Sequence, residues 1–511
     1  MSKQLFRSTS LVSVLTFLSR LIGFLRENVF AVVFGAGSEM DAFVIAFRIP
    51  NFLRKIFAEG AFSQAFMPVL KEVKVQKSHD ELRELIARVS GTLGLILLLV
   101  SVLGVVASPL WAMIFAPAYV HEPAKFSTLN HLLKVMFPYI LFISLTGLAG
   151  SIQNAFRQYA VPAITTLILS LCMGWAAVSL SPYFKAQPIE AVAWGVLLAG
   201  VLQCLFQLPF LWRLNVLVCP KWGWSDPNVR RIIKMMLPAL FGVSIAQIGM
   251  LIDSMYATFL PTGSVSWLYY ADRLMQFPLG VFGIALATVV MPHLSEQMAR
   301  HDEVEFKRAL DWALKLVVIV ASPCAVGLAV LAGPILVTLF QYGHFNFLDV
   351  KMTEESLWAF SAGLFFFIMV KIVVSAFYAR QDMRTPVKIG MIAVGVNIVF
   401  NTILIMPLHH VGLALATSIA AMFNSMALLF VLNQRQLLHF RRGWRKVLLG
   451  ALVGNILMVL SVHFMQGNLA SWVAWHPLMR VIHLFLLIGT GVGIYIMTLL
   501  MFGLRRGDLV I

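Results

Sequence analysis

Ile389–Gln434 reads IGMIAVGVNIVFNTILIMPLHHVGLALATSIAAMFNSMALLFVLNQ and contains no Asp, Glu, Lys or Arg. A membrane-spanning helix needs roughly 20 consecutive apolar residues, so this stretch predicts two. The Pro407-Leu408-His409-His410 break supplies the turn between them. Val89–Val120, Gln158–Phe184, Leu316–Leu348, Val447–Met479 and Val481–Leu504 are also free of charge. Period-two alternation of the outer-membrane-barrel kind is absent, and the runs are too long for tilted strands. The predicted fold class is an all-α polytopic membrane protein.

The rest of the chain agrees. Only 12% of its 511 residues are charged, where a soluble protein carries about 25%. Cutting at Gly, Pro and charge clusters predicts about fourteen transmembrane helices. They are placed near 11–34, 41–70, 89–114, 131–155, 160–182, 188–212, 232–260, 264–295, 312–340, 355–379, 386–406, 410–433, 446–466 and 481–504. Lys and Arg in alternate loops fall almost entirely on one side, and the other side takes only Lys125, Lys185, Lys351 and Arg480. Basic residues in short loops stay in the cytoplasm, so the N and C termini are predicted to be cytoplasmic. The formal charge of +16 is then a topology signal facing membrane phospholipids, not a nucleic-acid footprint.

Cys172, Cys204, Cys219 and Cys324 form no CxxC pair and read as small apolar fillers of helix faces. Lys3 and Arg7 precede an apolar stretch in the manner of a signal peptide, but Arg20 and Arg26 interrupt it. It reads as an uncleaved first helix.

An internal repeat is visible. Phe34-Gly35-Ala36-Gly37-Ser38, Arg48 and Met67-Pro68-Val69-Leu70 recur as Phe259-Leu260-Pro261-Thr262-Gly263-Ser264, Arg273 and Met291-Pro292-His293-Leu294, at a near-constant offset of about 225 residues. Two pseudo-symmetric six-helix lobes in the same orientation are predicted, at 1–222 and 223–440. Two additional C-terminal helices occupy 441–511.

Eight basic residues fall inside predicted helices: Arg20, Arg26, Arg48, Arg54, Lys55, Lys134, Arg273 and Lys371. A buried Arg in a membrane costs several kcal/mol, so it faces a water-filled cavity or a partner. Asp41, Arg48 and Lys55 recur every seven residues and Glu59 follows Lys55 by four, which puts them on one helix face. Arg20 and Glu27 share a face by the same spacing, and Asp272 adjoins Arg273. One reading is a polar cavity between the lobes whose guanidinium groups recognise phosphate oxygens bidentately. The other is that each Arg pairs with an acid or snorkels to the interface and only holds helices together. The excess of cations implies an anionic ligand or a standing positive potential.

Pro50, Pro238, Pro278, Gly280 and Gly283 allow helix bends. Trp267, Tyr269 and Tyr270 suit either a cavity wall or the interfacial aromatic belt, and are placed in the belt. His409 and His410 have no acid or cysteine at ligand spacing, so no metal is expected. His79-Asp80-Glu81 and His301-Asp302-Glu303 are the only loop candidates for a catalytic set, and both read better as acids opening a helix. With no nucleotide motif either, the chain is expected to be a transporter without cofactor rather than an enzyme.

Ser19-Arg20-Leu21-Ile22-Gly23-Phe24-Leu25-Arg26-Glu27, Phe34-Gly35-Ala36-Gly37 and Asp41-Ala42-Phe43 resemble the start of the MurJ (MviN) family of bacterial lipid II flippases. Pro50-Asn51-Phe52-Leu53-Arg54-Lys55-Ile56-Phe57-Ala58-Glu59-Gly60-Ala61-Phe62, Tyr269-Tyr270-Ala271-Asp272-Arg273-Leu274 and Phe377-Tyr378-Ala379-Arg380-Gln381-Asp382 extend the resemblance over nearly the whole chain. It implies the multidrug/oligosaccharidyl-lipid/polysaccharide (MOP) exporter fold in the bacterial inner membrane, and a role in peptidoglycan biosynthesis and cell shape. It also implies a cavity of residues matching Arg20, Arg26, Arg54, Arg273, Asp41, Arg48, Lys55 and Glu59, and a polyprenyl-tail groove beside the last two helices. Glu27 departs from the family, where Asp is common. Lipid II is the implied cargo and the cell-wall synthesis machinery an implied partner. Alternating access, driven by membrane potential or an ion gradient, moves the head outward. A flippase for another polyprenyl-linked glycan, or a drug or cation antiporter of the same fold, is the alternative.

Overall fold

The computed structural model describes residues 3–55, 61–440 and 443–504. Among these, every regular element is helical. The chain divides into two compact units, Met1–Gly263 and Ser264–Ile511, and each is described by itself.

The first unit holds α1 (Lys3–Phe34), α2 (Ser38–Arg54), α3 (Ala61–Gln76), α4 (His79–Val106), α5 (Ser108–Phe115), α6 (Pro123–Met136), α7 (Tyr139–Ala155), α8 (Ala160–Trp175), α9 (Glu190–Arg213) and α10 (Pro227–Ala257). The second holds α11 (Ser264–Pro278), α12 (Ile284–Ala299), α13 (Glu303–Val330), α14 (Ala332–Leu339), α15 (Phe347–Ala379), α16 (Arg384–Gln434), α17 (Trp444–Gln466), α18 (Leu469–Ala474) and α19 (Pro477–Met501).

Ten helical stretches among the described residues are long and apolar enough to cross a membrane. Two of them join neighbours, α6 with α7 and α11 with α12. The segments expected at 11–34, 41–70 and 232–260 lie on α1, on α2 with α3, and on α10, outside that set. The two helices expected from Ile389–Gln434 are present as the two arms of α16, which meet in a kink at His409 (φ 47°, ψ −128°). A left-handed φ at a residue with a side chain is uncommon, and Pro407 just before it removes a donor from the ladder.

Local chemistry sets the helix starts. Ser78 accepts from the Glu81 amide and opens α4, with Asp80 and Glu81 in its first turn. Asp226 accepts from the Asn228 and Val229 amides at the head of α10, and Pro227 follows it. Asp302 opens α13 in the same way, and Asn346 with Asp349 forms a reciprocal capping box at α15. Each cap satisfies amides that a helix start leaves without partners. The two loop clusters weighed as catalytic sets are thus helix openings.

Packing relies on close approach, as expected for helices in lipid. A Cβ on Gly363 of α15 would stand 2.4 Å from Ser418 Oγ of α16. One on Gly200 of α9 would stand 2.7 Å from the ring of Tyr139 on α7. Beyond Pro278 the helix widens into a π-turn over Leu279–Gly283 before α12 resumes, a local accommodation of the lost proline donor.

Candidate functional site

In the first unit, the seven-residue ladder of α2 points at α10. The Asp41 carboxylate, 1% exposed, accepts the Gly263 amide at 2.7 Å. Arg48 Nη1 donates to Met250 O at 2.8 Å and to Ser254 Oγ. Lys55 Nζ donates to Gln247 Oε1 at 2.8 Å. As α2 ascends through 41, 48 and 55, the partners descend through 263, 254 and 247, the register of an antiparallel pair. The shared face expected from the spacing is real, and in this structure it is a polar seam between two helices. Glu59, the fourth member, lies outside the described residues.

On α1, Arg26 pairs with Glu27, and the two side chains are 10% and 3% exposed. The guanidinium also reaches Ser170 Oγ at 3.5 Å on α8 and stands 5.7 Å from the Phe30 ring centre. Consecutive helix residues ordinarily point apart, and only the length of Arg lets this pair close. Spacing alone pointed to Arg20 as the sharer of Glu27's face. Arg20 is half-buried, and the neighbouring Ser19 hydroxyl meets Thr166 Oγ1 at 3.0 Å, which ties α1 to α8.

Arg54 points elsewhere. Its Nε and Nη2 donate to Asn51 Oδ1 at 3.1 and 2.8 Å, and it lines a cavity of about 480 Å³ walled by α3, α7, α8 and α9. Gln203 and Gln207 sit in the α9 wall. Sequence reading missed them, although two amides four residues apart in an otherwise apolar span were the signal available.

In the second unit, Gln276 donates to the Asp272 carboxylate one turn away. The Arg273 guanidinium lies 4.8 Å from the ring centre of Tyr269, a cation–π distance. Trp267, Tyr269 and Tyr270 are buried, which corrects their placement in the interfacial belt. Trp267 Nε1 donates to Asp349 Oδ1 at 2.9 Å, and Tyr270 packs on Phe340 and Phe345. Aromatic residues beside polar partners serve a bundle interior as well as an interface. Lys134 and Lys371 are exposed. His410 is buried against Trp267, with Nε2 3.0 Å from Met352 O.

Two acids outside the spans hold the helix ends. Burial opposes the charge on Asp226, but Arg88 and two amides outweigh it and hold the carboxyl below its ordinary range. At Asp382 burial is again outweighed, here by the hydroxyl and amide of Thr385 and by Arg435, and the carboxyl is held at about 2. Asp382 thereby clamps the start of α16 to the residue just past its end. The sequence displayed Asp382 in a motif without indicating this role.

Comparison with known proteins gives a consistent result. A family model described as "Lipid II flippase MurJ" matches residues 30–483. A Vibrio cholerae protein named "Probable lipid II flippase MurJ" is 43% identical over 515 aligned positions, covering 99% of this chain and 98% of the relative. A solved structure titled "Lipid II flippase MurJ, inward closed conformation" superposes with a TM-score of 0.80 at 26% identity, covering 96% of this chain and 97% of that one. An inward-facing multidrug resistance MATE transporter of the MOP superfamily superposes at 0.65, covering 83% of this chain and 98% of that one. At 13% identity that likeness speaks for the fold alone.

Proposed function

Because the chain belongs to the MurJ family of lipid II flippases, we propose that it carries lipid II from the inner to the outer leaflet of the bacterial cytoplasmic membrane by alternating access. The observation that carries this reading is the family match over residues 30–483. The buried, paired Arg26 in an apolar helix supplies the chemistry that such a cargo needs.

Lipid II bears a diphosphate and a large polar head that cannot cross hydrocarbon unaided, since buried charge without partners is costly. Guanidinium groups replace lost water with charge-assisted, bidentate contacts. In this reading Arg20, Arg26, Arg48, Arg54, Lys55 and Arg273 bind the head, with Asp41 and Glu59 among them and Glu27 and Asp272 in support. Fourteen spans with cytoplasmic termini, lobes at 1–222 and 223–440, and a tail groove formed by 441–511 complete it. Val481, Ile482, Phe485 and Leu486 form an exposed apolar face of α19 suited to a hydrocarbon tail. No cofactor is needed, because an inside-negative potential assists an outward-moving anion by about 2.3 kcal/mol per charge per 100 mV. An ion gradient is the other available drive.

The test is replacement of the sole lipid II flippase of a depletion strain by this chain, as wild type or as Arg20→Ala, Arg26→Ala or Arg273→Ala. Growth and outer-leaflet accessibility of labelled lipid II are scored together. Rescue by the wild type and failure of membrane-inserted Arg variants is the expected result. Rescue by all three variants removes the diphosphate-binding role, and failure of inserted wild type points to another polyprenyl-linked glycan.

A further inference from the structure

The cavity beside Arg54 has an unusual hydrogen-bond balance. Four of its hydroxyl protons are already spent on helix carbonyls, Thr146 on Phe142 O, Ser151 on Gly147 O, Thr165 on Pro162 O and Thr166 on Ala163 O, while Tyr139, Ser63 and Asn154 complete the polar wall. What those four hydroxyls turn to the cavity is oxygen lone pairs.

The two glutamines repeat the pattern. Gln203 Nε2 donates to Thr165 O at 2.7 Å and Gln207 Nε2 to Thr146 O at 3.3 Å. A carbonyl can only accept, so each amide is fixed with its nitrogen toward the helix. Gln203 and Gln207 are 3% and 1% exposed, and neither Oε1 has a hydrogen-bond partner among the described residues. A buried acceptor without a partner costs about 1–3 kcal/mol, a cost that a ligand donating to both oxygens offsets.

That ligand must donate. A metal cation would take up the oxygen lone pairs and an ammonium group would donate to them, but the Arg54 guanidinium on the same wall repels both. A phosphate only accepts and finds no complement in the two glutamine oxygens. A neutral group bearing several O–H or N–H donors fits the rest, and about 480 Å³ is within the range of a small-ligand site.

We infer that this cavity is a subsite for a neutral, hydroxyl- or amide-bearing portion of the cargo's head, with Gln203 and Gln207 as its acceptors and Arg54 at the diphosphate end. The inference rests on the proposed function and adds to it a specificity site for the glycan or peptide, formed by Gln203 and Gln207 beside the cationic Arg54.

The test uses the full chain in lipid nanodiscs and compares three lipids: undecaprenyl diphosphate, its disaccharide derivative without peptide, and the complete disaccharide-pentapeptide lipid. The variants are the Gln203→Met/Gln207→Met pair and Leu169→Phe, which fills the cavity from an apolar wall position. Each exchange removes a partnerless Oε1 together with an Nε2 bond to a helix carbonyl, and thermal unfolding of each variant verifies that the fold is kept. The expected result is a loss of roughly tenfold or more in affinity for the head-bearing lipids, about 1.4 kcal/mol, with undecaprenyl diphosphate unchanged. Loss already present with the disaccharide lipid assigns the site to sugar hydroxyls, and loss only with the complete lipid assigns it to peptide amides.

Equal weakening of all three lipids, or no change in any, overturns the inference and leaves a site that holds water alone. Wild-type protein that binds none of the three overturns the proposed function instead, which keeps the two failures apart.

Discussion

The Asp41 carboxylate accepts the backbone amide of Gly263 at 2.7 Å across 222 positions of chain. This contact ties the start of α2 to the turn that follows α10. A buried, charge-assisted hydrogen bond contributes about 1.5–3 kcal/mol. Asp41→Ala is expected to lower the thermal unfolding midpoint of purified protein by that order. Asp41→Asn keeps an acceptor and should lose less. Equal losses for the two would mean that the acceptor is not what matters.

Arg26 and Glu27 make a separable prediction. Removing one member of a buried pair strands the other and costs about 3–5 kcal/mol, while replacing both with apolar residues of similar volume is near neutral. Arg26→Met alone should therefore destabilise strongly, and Arg26→Met with Glu27→Leu should recover stability without recovering flipping. Recovery of both in the double variant would make the pair purely structural.

The seam between α2 and α10 predicts coupling. Lys55→Met and Gln247→Leu are expected to be non-additive by about 0.5–3 kcal/mol in a double-mutant cycle read by thermal unfolding. Lys55→Met paired with a change at the exposed Lys134 serves as the additive control. Additivity in the first pair would rule out the contact.

Asp382 gives a pH signature. Its carboxyl is held at about 2, below the ordinary 3.8, so the clamp on α16 is complete above about pH 4 and lost as the pH falls through about 2. The difference in unfolding midpoint between wild type and Asp382→Asn should be constant above that window and shrink within it. Arg435→Ala should raise the carboxyl's titration point, followed by carboxyl NMR. An unchanged titration point would assign the shift to Thr385 alone.

Gly363 tests the close approach of α15 and α16. Gly363→Ala places a methyl within 2.4 Å of Ser418 Oγ, and forcing an extra carbon into a packed contact costs about 1–3 kcal/mol. Ser418→Gly in the same chain removes the Oγ and Cβ contacts but leaves the Cα at 2.9 Å, so it should restore part of the unfolding midpoint. A neutral Gly363→Ala would show that the helices part at little cost.

Much of the architecture was legible because hydrophobic length and period are local properties. The uncharged runs fell on helices, the Pro407-Leu408-His409-His410 stretch on the break in α16, and Asp80 and Asp302 on helix openings. The seven-residue spacing correctly placed Asp41, Arg48 and Lys55 on one face. It left open what that face meets, since a spacing names no partner. The belt placement of Trp267, Tyr269 and Tyr270 failed for a related reason: an amphipathic ring suits a lipid interface and a polar bundle interior alike, and composition does not separate them.

By itself, then, the sequence determined the class of solvent, the helical class and the set of residues whose charge demands an account, because transfer free energy and helix period act through neighbouring residues alone. Tertiary structure decided which acid answers each base. It drew Arg26 to Glu27, sent Arg48 and Lys55 to α10, and turned Arg54 with Gln203 and Gln207 into one cavity. Those choices depend on which helices lie side by side, and electrostatic and hydrogen-bond energies act over ångströms in space however far apart the partners stand along the chain.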